Sequence, residues 1–245
     1  MGKIKWIGGG LGWVFGGPIG AVLGFVFGAI FDDVNKGSYS IEGEFKGKTT
    51  VTQQGDFAVS LLILSAEIMK SDGNVVKSEL EFIKDFYKRQ FGIEKTKQYI
   101  LLLREILKQK YDLQEICFQI KYSMDMAARL QLLHYLFGVS LSDAQLNQFE
   151  LNKIELISNY LGINQSDFLS IKAMYFKDTE SAYKILEISQ DSTDEEIKKA
   201  YKRMALKYHP DKVSHLGEEI QHAATEKFKQ INDAYNQLKN ERGFN

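Results

Sequence analysis

Apolar positions recur with a helical period from Phe57 to about Phe176, and no proline interrupts them. Runs at 57–69, 80–93, 99–107, 113–122, 127–138, 149–161 and 168–176 predict six or seven helices. Ser78 with Glu81 and Ser142 with Gln145 read as capping boxes, and Gly92 and Gly162 suit positions just past helix ends. The connections are short, so neighbouring helices should run antiparallel around one core. Residues 56–176, about 120 in all, are enough for an independently stable domain.

A second pattern begins at Thr193, which with Glu196 forms a capping box preceding an apolar stripe of Ile197, Ala200, Tyr201, Met204, Ala205 and Tyr208. Lys198, Lys199, Lys202, Arg203 and Lys207 cover the rest of that helix. The chain has 2 prolines, Pro18 and Pro210, and the second must end this helix near Tyr208 by disfavouring the α conformation at His209. His209, Pro210 and Asp211 are therefore expected at a loop tip, where recognition residues are usually carried. Phe228, Ile231, Ala234, Tyr235 and Leu238 form a matching stripe downstream, which predicts an antiparallel hairpin. Tyr183, Ile185, Leu186 and Ile188 predict a short helix packed on it.

The amino-terminal stretch is different in kind. Between Trp6 and Phe31 there is no charged residue, and roughly 20 apolar residues suffice to span a bilayer, so 1–31 reads as a transmembrane segment. A cleaved signal peptide fits less well, because the run is too long and Asp32-Asp33 is a poor cleavage context. Gly8, Gly12, Gly16, Gly20, Gly24 and Gly28 recur at every fourth position and would groove one helix face, allowing self-association in lipid, with Pro18 as a kink. These glycines complete no GxGxxG and follow no strand, so nucleotide binding is not supported. Residues 32–55 are polar and glycine-bearing, a linker in which Tyr39, Ile41 and Phe45 allow a short β-hairpin. Lys3 and Lys5 on one side, and Lys36, Lys46 and Lys48 on the other, leave orientation undecided by charge.

Composition narrows the chemistry. A net charge of −1 gives no reason to expect nucleic acid, and the basic stripe is local. The single cysteine, Cys117, excludes an internal disulfide and lies among apolar residues, so it reads as core. No Walker loop, HExxH or GxSxG occurs, and catalysis is not expected. His215 and His222 are too far apart in sequence to favour a shared metal, and His134 sits in an apolar helix.

The segments Ala182-Tyr183-Lys184-Ile185-Leu186-Glu187-Ile188, Glu196 to Arg203, Lys207-Tyr208-His209-Pro210-Asp211-Lys212 and Lys227 to Tyr235 together resemble the J-domain of DnaJ (Hsp40) co-chaperones. The resemblance covers about the last quarter of the chain, 181–245. Two departures stand out: the stretch from Asp211 to Phe228 is longer than in DnaJ, and the chain ends at Asn245 with no room for a fourth helix. Both are features of DjlA-type membrane-anchored J-proteins. Ala66 to Leu80, containing Asp72-Gly73 and Glu79, resembles the acidic-loop motif of TerB-like (tellurite-resistance) domains, with a weak echo from Gly138 to Gly162 that lacks the Asp-Gly. Two carboxylates are too few for a calcium cage, so Asp72-Gly73 is assigned to a turn and Glu79 to a helix start, and no metal or cofactor is expected.

The resemblance implies an all-α protein: a transmembrane glycine-zipper helix, a TerB-like bundle and a C-terminal J-domain. It further implies that Lys198, Lys199, Lys202, Arg203 and Lys207 dock on Hsp70 (DnaK), and that His209, Pro210 and Asp211 engage it to stimulate ATP hydrolysis. A cytosolic partner would place the bulk of the chain on the cytoplasmic side of a bacterial inner membrane, anchored by a single pass. A homodimer through Gly12, Gly16, Gly20, Gly24 and Gly28 is a further expectation. The client or partner of 56–176 is not legible. The alternative is a membrane stress sensor or scaffold acting through the TerB-like bundle, with the J-domain secondary.

Overall fold

The computed structural model describes residues 16–26, 53–73, 75–143, 146–176, 178 and 180–244. They are helical, with no strand among the described residues. The expected hairpin at Tyr39, Ile41 and Phe45 and most of the 1–31 segment, Gly8, Gly12 and Gly28 included, lie outside them. The chain divides into two compact units, Met1–Ser123 and Met124–Asn245. This division at 123/124 does not coincide with the interval at 176–181 that the hydrophobic pattern suggests.

In the first unit, 16–26 (α1) is followed by α2 (Gln53–Met69), α3 (Lys77–Phe91), α4 (Ile93–Leu107) and α5 (Leu113–Ser123). The core of the unit is α2, whose Phe57, Leu61, Leu62, Leu64 and Ile68 are buried. Tyr87 Oη of α3 donates to the Ala58 carbonyl at 2.6 Å, tying α3 to it. Gly92, at φ 79°, closes α3 through its N–H to the Lys88 carbonyl and also begins α4. Only glycine adopts that conformation without strain, which is why two helices meet there without a linker. Around Pro18 the amide of Gln119 ties α5 to α1: Oε1 accepts from Ile19 N–H at 2.9 Å and Nε2 donates to the Gly16 carbonyl at 2.8 Å. Ile19, Val22 and Val26 are buried. Among the described residues, no helix is long and apolar enough to cross a membrane.

The second unit contains α6 (Met126–Ser140), α7 (Gln148–Tyr160), α8 (Gln165–Tyr175), α9 (Ser181–Ile185), α10 (Asp194–Lys207), a 3₁₀ segment Pro210–Leu216 and α11 (Glu218–Arg242). Four of its helices begin on side-chain caps: Asp125 accepts from Ala128 N–H, Asn147 from Glu150 N–H, Asn164 from Asp167 N–H and Thr193 from Glu196 N–H. Gly162 ends α7 in a left-handed turn, with Ile163 N–H on the Ser158 carbonyl and Gly162 N–H on the Asn159 carbonyl, a Schellman arrangement.

Two caps differ from the expected ones. The reciprocal carboxylate at the start of α3 is Glu79, accepting from Val76 N–H at 3.0 Å, while Glu81 pairs with Lys84. The α7 box is Asn147 with Glu150, not Ser142 with Gln145. In both places the helix starts where a glutamate at its third position accepts from the backbone N–H of the cap residue, at Val76 and at Asn147. Asp72 and Gly73 form the expected turn, Gly73 at φ 84°.

Candidate functional site: the His209–Asp211 loop and its cationic helix

The loop is presented by α10 and α11. Thr193 and Glu196 form the capping box that starts α10, and Tyr208 caps its other end. Ile197, Ala200, Met204 and Tyr208 are buried on one side; Ile220, Ala224, Ile231, Ala234 and Leu238 of α11 are buried opposite. The helices run antiparallel, since Asp194 meets Arg242, Tyr201 meets Tyr235, and His209 meets Phe228. The long interval after Asp211 is filled by the 3₁₀ segment, which buries Val213 and Leu216, and by an early start of α11 at Glu218, ten residues before the stripe suggested.

At the bend the imidazole of His209 is 47% exposed and the carboxylate of Asp211 81% exposed. His209 Nδ1 accepts from Asp211 N–H at 3.3 Å and lies 3.6 Å from Asp211 Oδ2, and its ring meets the Phe228 edge at 5.7 Å. Proline at the first position of the 3₁₀ segment sets φ without costing a donor. The imidazole is thus fixed by a neighbour in sequence and by one ring, and about half of it faces solvent.

The five cations of α10 are not equivalent. Lys199 and Lys202 are exposed, and Lys198 Nζ lies 5.3 Å from the Phe244 ring. Arg203 donates to the carbonyl of Leu186 at 3.0 Å and approaches Glu187 Oε2 at 3.5 Å. Lys207 Nζ is held between Asp167 Oδ1 of α8 and Glu187 Oε1, the latter at 3.0 Å. Burial, and Asp167 close by, push the Glu187 carboxyl above its usual range. Glu187 adopts φ 57°, the one non-glycine residue with positive φ among the described residues. Asp167 and Glu187 were invisible to the sequence reading, because an ion pair between residues 40 and 20 positions apart leaves no local signature.

Arg242 was also missed. It donates to the carbonyls of Ser192 and Gln190 and to Tyr183 Oη, so the last turn of α11 fixes the α9–α10 loop. Its one local signal is a basic residue in a last helical turn.

The other candidates lie elsewhere. His215 and His222 are exposed, and no group of three His, Cys, Asp or Glu side chains among the described residues could hold a metal. His134 is buried in α6, and Cys117 is buried in α5. Gly16, Gly20 and Gly24 fall in α1, where the Gly16 carbonyl is occupied by Gln119.

Three family models match the chain in order: the co-chaperone DjlA transmembrane domain over 1–47, the tellurite resistance protein TerB over 58–173 and the DnaJ domain over 181–243. The co-chaperone protein DjlA of Photobacterium profundum is 24% identical over 98% of this chain and 99% of its own length. That of Vibrio parahaemolyticus is 24% identical over 86% and 87%. The chaperone protein DnaJ of Campylobacter lari is 56% identical over 24% of this chain and 14% of its own length, a match confined to about the J-domain's extent. No solved structure matches. With the three regions in this order and relatives aligned nearly end to end, the chain belongs to the DjlA-like co-chaperones of the DnaJ (Hsp40) family.

Proposed function

We propose that the protein is a membrane-anchored co-chaperone that stimulates ATP hydrolysis by an Hsp70 (DnaK-type) partner and concentrates it at the membrane. The observation that carries this reading is the exposed pair His209 and Asp211 at the proline-set end of a cationic helix. The partner supplies the ATPase chemistry; this chain binds and positions. Lys198, Lys199, Lys202, Arg203 and Lys207 would meet an acidic face and set the encounter rate and orientation, while His209, Pro210 and Asp211 confer specificity. The segment 1–31 would cross the bacterial inner membrane once with the bulk of the chain in the cytoplasm, where ATP is available. Gly12, Gly16, Gly20, Gly24 and Gly28 would allow two copies to pair in lipid. Residues 56–176 would choose the site or client.

The test is the ATPase rate of a bacterial Hsp70 with full-length protein in detergent or nanodiscs, alongside His209→Gln. Stimulation that disappears in the variant supports the reading. Absence of stimulation by the wild-type chain would leave a scaffold acting through the TerB domain.

A further inference from the structure

We propose that α8 restrains the J-domain in cis: Asp167 occupies Lys207 and thereby competes with the acidic surface of the partner for the loop-proximal end of the cationic helix. This rests on the function proposed above.

Lys207 is the cation nearest to His209 in sequence, yet its side chain is only 23% exposed. Both its carboxylate partners are more deeply buried, Asp167 at 1% and Glu187 at 11%. The Asp167 carboxylate is not consumed by capping α8, because Asn164 provides that cap and Asp167 contributes its backbone N–H. It is spent on Lys207. An intermolecular partner must therefore displace a pair whose local concentration is fixed by the fold.

The pair belongs to a longer seam between α6–α8 and the J-domain elements, all within the second unit. Ser170 Oγ donates to the Ile185 carbonyl at 2.8 Å, Lys227 Nζ lies 4.0 Å from the centroid of the Tyr175 ring, and the Tyr208 and His134 rings meet edge-on at 5.8 Å. This seam is imperfectly satisfied. Both ring nitrogens of His134 and the hydroxyl of Tyr208 are buried without a hydrogen-bond partner. Buried orphan polar groups penalise the closed arrangement and would be hydrated on opening, so the seam is poised to part rather than welded. Tyr208 immediately precedes His209, so parting the seam frees the residue that sets the direction of the loop. The TerB domain then becomes a gate as well as an address.

The experiment uses the full chain with Hsp70 and compares wild type, Asp167→Asn, and Asp167→Glu. Two readouts are taken: the co-chaperone concentration giving half-maximal ATPase stimulation, and amide hydrogen exchange over 165–175 and 204–208. Removing the charge should accelerate exchange in both segments and lower the half-maximal concentration about five- to tenfold at unchanged maximal rate, within the usual span of coupling between sites. Asp167→Glu should retain the restraint in part. Faster exchange with an unchanged or higher half-maximal concentration would overturn the proposal, as would unchanged exchange. Should Asp167→Asn fail to fold, Ser170→Ala removes the hydrogen bond of α8 to the Ile185 carbonyl across the same seam and must shift both readouts in the same direction. No stimulation by wild type, with exchange still responding to Asp167→Asn, would refute the co-chaperone reading and the restraint's regulatory meaning while leaving the contact itself intact.

Discussion

Tyr201 and Tyr235 stack across the seam of α10 and α11, with ring centroids 4.3 Å apart and planes inclined by 19°. Tyr201 Oη also donates to Asn232 Oδ1 at 2.9 Å, so one side chain both fills the seam and fixes its register. Tyr201→Phe keeps the stack and should cost about 1 kcal/mol for the lost hydrogen bond. Tyr201→Ala should cost about 3 kcal/mol, at the lower end of the range for aromatic truncation because the ring is only partly buried. Hydrogen-exchange protection of α10 and α11 amides in the full chain measures both. Equal losses for the two variants would show that the stack contributes nothing.

The exposed bend separates activity from stability. His209 is about half exposed and is held by the Asp211 N–H and carboxylate and by the ring of Phe228. Exchanging it for glutamine should alter stability by no more than about 0.5 kcal/mol, as for other surface positions. Stimulation of Hsp70 should fall at least tenfold. A paired measurement of ATPase rate and thermal midpoint checks this, and a large loss of stability would mean that the loop is structural.

Much of the architecture was legible because its signals are local. Seven helical runs became α2 to α8, and the proline stop and the Thr193–Glu196 box defined α10 to within a residue. The loop residues were legible for the same reason. Cap positions were less so: Ser78 and Ser142 are good capping residues, but the reciprocal glutamates that close the starts of α3 and α7 are Glu79 and Glu150. What could not be read was the fate of the cations. Lys199, Lys202, Arg203 and Lys207 look alike in sequence, yet long-range carboxylates and carbonyls claim the last two and leave the first two to solvent. The packing boundary at 123/124 was equally hidden, because it depends on contacts between elements and not on any composition change.

Cys117 is a thiol that the fold keeps silent. Burial in α5, reinforced by nearby Glu67, pushes its pKa up to about 12. Only the thiolate reacts, so labelling by a disulfide reagent at pH 8 should run at least about a hundredfold slower in the native chain than in denaturant. Labelling at comparable rates would place the thiol at the surface and remove it from the core of the first unit.

Lys207 offers the sharpest electrostatic test. Replacing it by methionine removes the cation that two nearly buried carboxylates share, a change that costs about 3–5 kcal/mol for fully buried pairs and about 2–3 kcal/mol here, since the lysine is partly exposed. The pH dependence follows from the sign of the carboxyl shift. Glu187 already sits above its usual range through burial and the neighbouring Asp167, and losing the cation raises it further. A folded-state pKa above the unfolded one means that the native state binds more protons in the interval between them. Its stabilising contribution is complete below the unfolded value, near 4.3 for glutamate, and is lost as pH rises through the folded value. The deficit of Lys207→Met relative to wild type should therefore be largest near neutrality and shrink as pH is lowered toward 5. Urea midpoints for second-unit amides, followed by hydrogen exchange from pH 5 to 8, provide the measurement. A deficit independent of pH would mean that Lys207 stabilises by packing of its stem rather than by charge.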